Sequence, residues 1–354
     1  MNENKLKDLF CSPDITIKEA MVSLSKVQGQ LLIVVEKDRK LLGVLADGDI
    51  RRALLKNTPL TTTISKIMNR EPKKLLFFSK EVAAKEMKKY SIKQIPVVDD
   101  DGKVQDIIFW NDVIDGEIEL DKLDNSVFIM AGGMGTRLKP FTKILPKPLI
   151  PIGDKPIIEI IMDNCKKHGF YNFIISLNYK SAMIKHYFAE NEYDALIEFR
   201  KEDKPLGTAG PLCLVKNQIR EPLIVTNCDV ITNIDYRDLL MFHKEKGFKI
   251  TMVGVVKQFT VPYGVLKANN GHLLEITEKP EYDFMVNAGV YVIDPEILKL
   301  LEDNVYIDMP ELLIMTKEKK YSVGVYPFSG EWIDVGQWED YKKAVFHMGF
   351  GGMP

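Results

Sequence analysis

Residues 31–50, LLIVVEKDRKLLGVLADGDI, align without a gap on residues 94–113, QIPVVDDDGKVQDIIFWNDV, and this internal repeat governs what the first third of the chain can form. At that offset Val34 and Val35 fall on Val97 and Val98, Val44 and Leu45 on Ile107 and Ile108, and Asp49 on Asp112. In each copy a polar turn, 36–40 or 99–103, divides two apolar β-branched runs, which reads as strand, turn, strand. Helical stretches, 18–27 and 81–90, precede the two copies, and a helix is expected to start near Asp49 and near Asp112. A unit this small cannot bury its own apolar face, so the copies are expected to pack together.

The repeat resembles the tandem cystathionine-β-synthase (CBS) domain pair, over residues 1–120. Such pairs commonly bind adenine nucleotides through a glycine, two apolar residues, Thr or Ser, two further residues and an Asp that holds the ribose. The first copy reads Gly43-Val-Leu-Ala46-Asp-Gly-Asp49, with alanine at the hydroxyl position. The second reads Asp106-Ile-Ile-Phe109-Trp-Asn-Asp112, departing at both the glycine and the hydroxyl. Asp49 and Asp112 remain, with two readings open: a carboxylate that caps a helix by accepting from free backbone N–H groups, or a ligand for an adenine nucleotide.

Lys and Arg number 48 against 50 Asp and Glu, a formal charge of −2, so the chain lacks the positive field that marks a nucleic-acid binder. Cys11, Cys165, Cys213 and Cys228 form no CxxC pair, which argues against a disulfide framework or a zinc site. His168, His186, His243, His272 and His347 make no ligand spacing and read as surface or partly packed residues. No run approaches the roughly 20 apolar residues of a membrane span. The first ten residues mix charges where a signal peptide needs an apolar stretch. The expectation is a cytoplasmic protein without a membrane or nucleic-acid partner.

After the polar stretch 121–126 the pattern changes to an apolar strand, 127–131, running into glycines, and a second domain over 125–354 is expected to begin there. Strand-like and helical segments then alternate, which predicts an α/β fold: a mostly parallel, doubly wound, Rossmann-like sheet preceded by the CBS pair. In such sheets ligands sit at the carboxyl ends of strands. Residues 131–148 read AGGMGTRLKPFTKILPKP. Gly132, Gly133 and Gly135 directly follow the strand, where the chain can turn sharply and offer N–H groups to phosphate oxygens. No GxxxxGK[ST] is present, and Leu138 stands where GxGxxG needs its third glycine. Arg137 and Lys147 instead add two fixed positive charges suited to a polyphosphate.

Strand, GGxGTR and PKP together, in GGMGTRLKPFTKILPKPLIPIGDKPIIE, resemble the signature of the sugar-1-phosphate nucleotidyltransferases, also called nucleotide-sugar pyrophosphorylases. The resemblance extends over 127 to about 345. It implies that Ala131, Gly132, Gly133, Gly135 and Thr136 bind the nucleotide, together with Glu202, Gly207, Thr208 and Gly210 of EDKPLGTAG. It further implies metal aspartates at Asp229, in NCD, and Asp334, in WIDVG. The sugar and its phosphate fall to Gly264, Glu278, Lys279, Asn287 and Gly289, in the segments YGV, EKP and NAG.

The implied reaction joins a sugar 1-phosphate to a nucleoside triphosphate with loss of pyrophosphate. Arg137, Lys147 and Lys279 are its implied catalytic cations, and Mg²⁺ its cofactor. An anion must approach a polyanion, so positioning and electrostatic stabilisation are expected to supply the catalysis. The CBS pair in front narrows the resemblance to the glucosamine-1-phosphate guanylyltransferases of bacterial legionaminate biosynthesis, with GTP as substrate and a homodimer as the assembly. A uridylyl- or thymidylyltransferase, a transferase for a small phosphate such as phosphocholine, and an inactive nucleotide sensor are the open alternatives.

Overall fold

The computed structural model of the chain describes residues 8–24, 27, 31–90, 92–113 and 121–346. Within the repeat, Leu31–Val35 pairs antiparallel with Leu41–Ala46, and Gln94–Val98 pairs the same way with Val104–Phe109. Each hairpin carries a register shift at the equivalent place, between Val34 and Val35 and between Val97 and Val98. The repeat therefore extends to the bulge, which sharpens strand twist locally. Helices Ile17–Leu24 and Lys80–Tyr90 precede the hairpins, and helices Asp47–Leu55 and Trp110–Val113 follow them. Both following helices begin two residues earlier than the sequence suggests.

Alternation assigns the faces. Leu32, Val34 and Leu45 join Ile17, Leu24 and Ile50 in the core of the first copy, while Ile95 and Ile108 join Ala83 and Met87 in the second. The opposite faces meet each other: Ile33 and Val44 pack in one cluster with Val98, Val104 and Ile107. This mutual burial is what the repeat requires.

The second domain is built on a seven-stranded sheet in the order Leu196–Lys201, Phe170–Leu177, Leu123–Met130, Leu223–Asn227, Glu281–Ile293, Ile250–Thr260, Val323–Phe328. All neighbours are parallel except Glu281–Ile293, which runs antiparallel to both strands beside it. Successive residues of one strand serve two cores. Val127 and Ile129 pack on one side under helices Ile157–Lys166 and Tyr236–Lys246, whereas Phe128 and Met130 pack on the other against Leu212, Ile297 and Leu312. Burial on both faces is the condition for a largely parallel sheet.

The central strand starts at Leu123, inside the polar stretch 121–126 and four residues before the strand expected at 127–131. Its polar residues are tolerated because they find partners: the Asn125 side chain, 4% exposed, donates to the Pro222 carbonyl at 2.7 Å. A two-stranded hairpin, Val265–Asn269 with His272–Thr277, projects from the sheet and stays exposed on both sides. Among the described residues no helix is long and apolar enough to cross a membrane.

Candidate active site

A cleft of about 440 Å³ opens at the carboxyl ends of the strands Leu123–Met130 and Leu223–Asn227. Ten of the sequence-predicted residues line it: Gly132, Gly133, Gly135, Thr136, Arg137, Lys147, Glu202, Gly207, Thr208 and Asp229. The strand delivers its last residue to the rim, the chain leaves regular structure at Ala131, and Thr136–Leu138 forms a single 3₁₀ turn. Gly135 sits at φ +60°, and a side-chain carbon there would stand 2.9 Å from Thr142 Cγ2 and 3.0 Å from Lys147 Cβ. Glycine thus lets Lys147 pass beneath the loop. At Gly132 an added carbon would lie 2.4 Å from Glu202 Oε1, so this glycine makes room for the carboxylate that packs against it.

Lys147, only 7% exposed, donates to Asp229 Oδ2 on the cleft floor. Asp334 stands beside this pair. The short strands Val230–Thr232 and Trp332–Asp334 pair antiparallel with Val230 opposite Asp334, and the Val335 N–H donates to the Asp229 carbonyl at 2.8 Å. Burial pushes the Asp334 carboxyl above the usual carboxylate range, and the Asp229 charge adds to this while Lys147 and Arg137 oppose it. Its Oδ1 is buried and accepts no hydrogen bond. A buried, unpartnered carboxylate oxygen next to a second carboxylate is a set of hard donors that fits a divalent ion such as Mg²⁺. No third His, Cys, Asp or Glu joins them among the described residues. Substrate oxygens and water would have to complete the coordination, as is usual for Mg²⁺.

The opposite wall is made by the loop from Glu202. Glu202 is 5% exposed, accepts from the Leu206 N–H at 3.3 Å, and is pushed above the usual carboxylate range by burial. The loop is fastened to a segment about a hundred residues away. The Thr208 N–H and hydroxyl donate to Asp308 Oδ1 at 2.9 and 3.1 Å, and the Tyr306 hydroxyl donates to Asp308 Oδ2 at 2.9 Å. Asp308 caps helix Met309–Glu318, with the Glu311 carboxylate accepting from the Asp308 N–H. Gly207, at φ +80°, and Gly210 do allow close backbone approach, but to this segment: added carbons would stand 2.5 Å from the Ile307 carbonyl and 2.7 Å from the Val305 carbonyl.

The remaining expected residues lie elsewhere. Ala131 is buried beneath the glycine loop, and Gly210 is buried against the 305–307 segment; neither lines the cleft. Gly289, at φ +74°, backs onto the Asn227 side chain, and its N–H donates to Asn287 Oδ1 at 3.0 Å. Gly264 and Glu278 meet at the base of the projecting hairpin, with Lys279 beside them in a left-handed backbone conformation, φ +44°. The structure brings these two together but not into the cleft wall. Tyr306, Asp308 and Ser176, which do line it, were not singled out from the sequence. For Asp308 a signal existed, since Asp-Met-Pro-Glu is the spacing of a capping box.

In the front pair, Asp49 accepts from the Ala46 N–H at 2.8 Å and also from Arg52, and Asp112 accepts from the Phe109 N–H at 2.9 Å. Both aspartates reach back three residues to cap their own helices. His243 corrects the reading of the histidines: it is 2% exposed, with Nδ1 2.9 Å from Thr251 Oγ1, while His347 lies outside the described residues.

Comparison with known proteins agrees with this layout. The pattern of the nucleotidyl transferase family matches residues 126–348, and that of the CBS domain matches residues 6–56 and 64–118. The chain is 36% identical over 232 residues to a mannose-1-phosphate guanyltransferase of Pichia angusta and 35% identical to one of Saccharomyces cerevisiae, covering 61% of this chain in each case. It spans 62% of the length of the first and 63% of the second. Among solved structures, HddC from Yersinia pseudotuberculosis is similar at a TM-score of 0.52 and 27% identity, over 63% of this chain and 98% of HddC. The same protein complexed with GMP-PN matches at a TM-score of 0.51.

Proposed function

The chain belongs to the nucleotidyl transferase family, and we propose that it joins a nucleoside triphosphate to a sugar 1-phosphate, releasing pyrophosphate and a nucleotide sugar. One observation carries this reading: the glycine loop, Arg137, Lys147, Asp229 and Glu202 converge on a single cleft. An oxygen of the sugar phosphate attacks the α-phosphorus in line, and the bond from that phosphorus to the bridging oxygen of the departing pyrophosphate breaks. The nucleophile is already ionised near neutral pH, so no general base is required. Backbone N–H groups of Gly132 to Gly135 orient the triphosphate, and Lys147 and Arg137 offset the charge that gathers on the leaving group. Asp229 and Asp334 would hold Mg²⁺, which supplies further positive charge to the phosphates. We assign Lys279 to the phosphate of the sugar 1-phosphate and Gly264, Glu278, Asn287 and Gly289 to the sugar, which for Gly264, Glu278 and Lys279 requires the base of the exposed hairpin to approach the cleft.

For the base we propose guanine. Glu202 presents a carboxylate, an acceptor-only group, and guanine offers two adjacent donors at N1 and N2. Uracil and thymine offer a single ring N–H flanked by carbonyl oxygens that the carboxylate would repel. The guanyltransferase names of the relatives and the GMP-PN complex of HddC support the same choice. For the sugar we propose glucosamine 1-phosphate, in legionaminate synthesis, on the strength of the fused CBS pair; mannose 1-phosphate is the rival that the relatives' names raise. An adenine nucleotide in the front pair would be held at Asp112 rather than Asp49, which already accepts both from its helix start and from Arg52. A homodimer is supported by the projecting hairpin, whose Leu266, Leu273 and Ile276 are each 61% exposed. We place the domain division at 120–125 and the reaction in the cytoplasm, where four free cysteines are at home.

The test is a matrix of GTP, UTP, dTTP, CTP and ATP against glucosamine, mannose and glucose 1-phosphates, assayed for pyrophosphate release with Mg²⁺. GTP with one hexosamine or hexose 1-phosphate should stand out. A preference for UTP or dTTP would overturn the guanine assignment, and no release from any pair would overturn the transferase reading.

A further inference from the structure

The two copies of the repeat differ at the face that meets the second domain. Position 47 of the first copy corresponds to position 110 of the second, so aspartate opens one helix and tryptophan the other. Asp47 reaches out of its own domain: the Ser329 N–H donates to its Oδ1 at 3.3 Å, and the Ser329 hydroxyl donates to the same oxygen. One turn on, Arg51 donates to Asp47 Oδ2 at 3.0 Å and to Asp238 Oδ2 at 2.7 Å, with its guanidinium carbon 4.2 Å from the centre of the Tyr326 ring. Tyr326 closes the network by donating to Asp238 Oδ2 at 2.6 Å. The side chains of Arg51 and Asp47 are 13% and 15% exposed. The second copy adds Lys93, whose Nζ lies 3.1 Å from Asp235 Oδ2.

These contacts fall on two segments with something in common. Asp235 and Asp238 lie at the start of helix Tyr236–Lys246, directly after the strand that follows Asp229. Tyr326 lies in the sheet strand Val323–Phe328, and Ser329 follows it, leading into the strand that ends in Asp334. Those two short strands pair with each other, Asp229 lines the cleft at one end of the ribbon, and the front pair holds the segments that flank the ribbon at its other end. Stability is a poor explanation for such a network, because Asp238 and Lys93 stay about half exposed, where an ion pair contributes little, and withdrawing Arg51 and Asp47 from water offsets much of their attraction. Fixing one geometry is a better one.

We propose that the front pair clamps this ribbon, and that Asp47 and Arg51 are positioning residues which set the relation of Asp229 to Asp334 and thereby the affinity for the divalent ion. The inference rests on the metal reading of those two aspartates. The clamp also gives the front pair a route to the chemistry, since any shift of helix Asp47–Leu55 is passed to both flanks of the ribbon.

The test uses the full chain and Mn²⁺ alone, with binding followed by water-proton relaxation, beside the Mg²⁺ dependence of pyrophosphate release. Arg51→Ala should raise the Mn²⁺ dissociation constant between about threefold and thirtyfold, the range of couplings carried through packed contacts. The Mg²⁺ needed for half-maximal turnover should rise with it, while kcat at saturating Mg²⁺ changes by less than about twofold. Arg51→Lys keeps the charge but not the planar fork, and should recover part of the loss. Asp334→Asn is the control on the underlying reading. Wild-type Mn²⁺ binding by Asp334→Asn would overturn the metal assignment. Loss of binding there, with wild-type affinity in Arg51→Ala and Asp47→Ala, would overturn the clamp alone. Should Arg51→Ala fail to fold, Arg51→Lys and Asp47→Asn decide by the same criterion.

Discussion

Lys147 and Asp229 pair directly on the cleft floor, a lysine that would face pyrophosphate against a carboxylate that would face the metal. The pair holds both side chains in place, and on the proposed reading each would trade its partner for a charge of the incoming complex. Lys147→Ala and Asp229→Asn should each lower kcat by about a hundredfold, the loss typical of one preorganised electrostatic contact. Because the residues act as a unit, the double variant should fall little below the worse single one. Steady-state pyrophosphate release, with circular dichroism to confirm folding, measures all three. A double variant whose loss is the product of the single losses would show that the two side chains work independently.

The Glu202 carboxylate packs directly against Gly132 at the cleft, and a side chain at that glycine would collide with it. If the carboxylate reads the N1 and N2 donors of guanine, Glu202→Gln places a donor against a donor. An unsatisfied buried polar group costs about 1–3 kcal/mol, so kcat/KM for GTP should fall roughly tenfold or more while that for UTP stays level or rises. Inosine triphosphate, which lacks the N2 amine, should be a poorer substrate than GTP for the wild type and an equal one for Glu202→Gln. Burial holds this carboxyl above the usual range, so the GTP preference should weaken on acidification sooner than a surface glutamate would allow. An unchanged GTP-to-inosine triphosphate ratio in the variant would rule Glu202 out as the guanine reader.

The parts of this molecule that could be read from the sequence are those whose physics is local. A strand running into three glycines, with Arg137 and Lys147 close behind, declares a phosphate loop within 20 residues, and the repeat declares its own hairpins, though not the bulge they share. What could not be read depends on chain segments far apart. Asp308 reaches the cleft only because Thr208 draws its helix start there, a hundred residues away. Arg51 meets Asp238 across 187 residues, with no pattern in either segment to announce it. Polarity misled twice: Asn125 and His243 look like exposed residues, yet each is buried because one hydrogen bond satisfies it. The sugar-side residues were assigned by resemblance, and nothing in the sequence tells how those at the base of the exposed hairpin, Gly264, Glu278 and Lys279, approach the cleft.

Gly207 offers a test of how the loop from Glu202 is fastened. Its φ of +80° is strained for any other residue, and an added carbon would stand 2.5 Å from the Ile307 carbonyl. Gly207→Ala should destabilise the protein by more than about 1 kcal/mol, since both conformation and space oppose it. The larger effect should be on KM for the triphosphate, because the displaced loop carries Glu202 and Thr208, with kcat at saturation less affected. Thermal melting and a KM-against-kcat comparison separate the two. A variant that melts lower but keeps its KM would show that the loop does not contact the nucleotide.

His243 makes a prediction about acid stability that is independent of the site. It sits on helix Tyr236–Lys246 with its ring nitrogen 2.9 Å from Thr251 Oγ1, and burial lowers its pKa from 6.5 to about 4. A histidine depressed in the folded state contributes stability that is present above its unfolded pKa and is lost as pH falls through the folded one. Between pH 7 and pH 5 that loss amounts to about 2 kcal/mol, the linkage expected when only the unfolded chain takes up the proton. His243→Gln keeps a group able to bond Thr251 but cannot titrate. The variant should be less stable than wild type at pH 7 through imperfect packing, and the gap should narrow or reverse by pH 5. Urea unfolding of both proteins at the two pH values measures the difference, from which contributions common to both cancel. An equal loss in variant and wild type would mean that His243 is already accessible to protons in the native state.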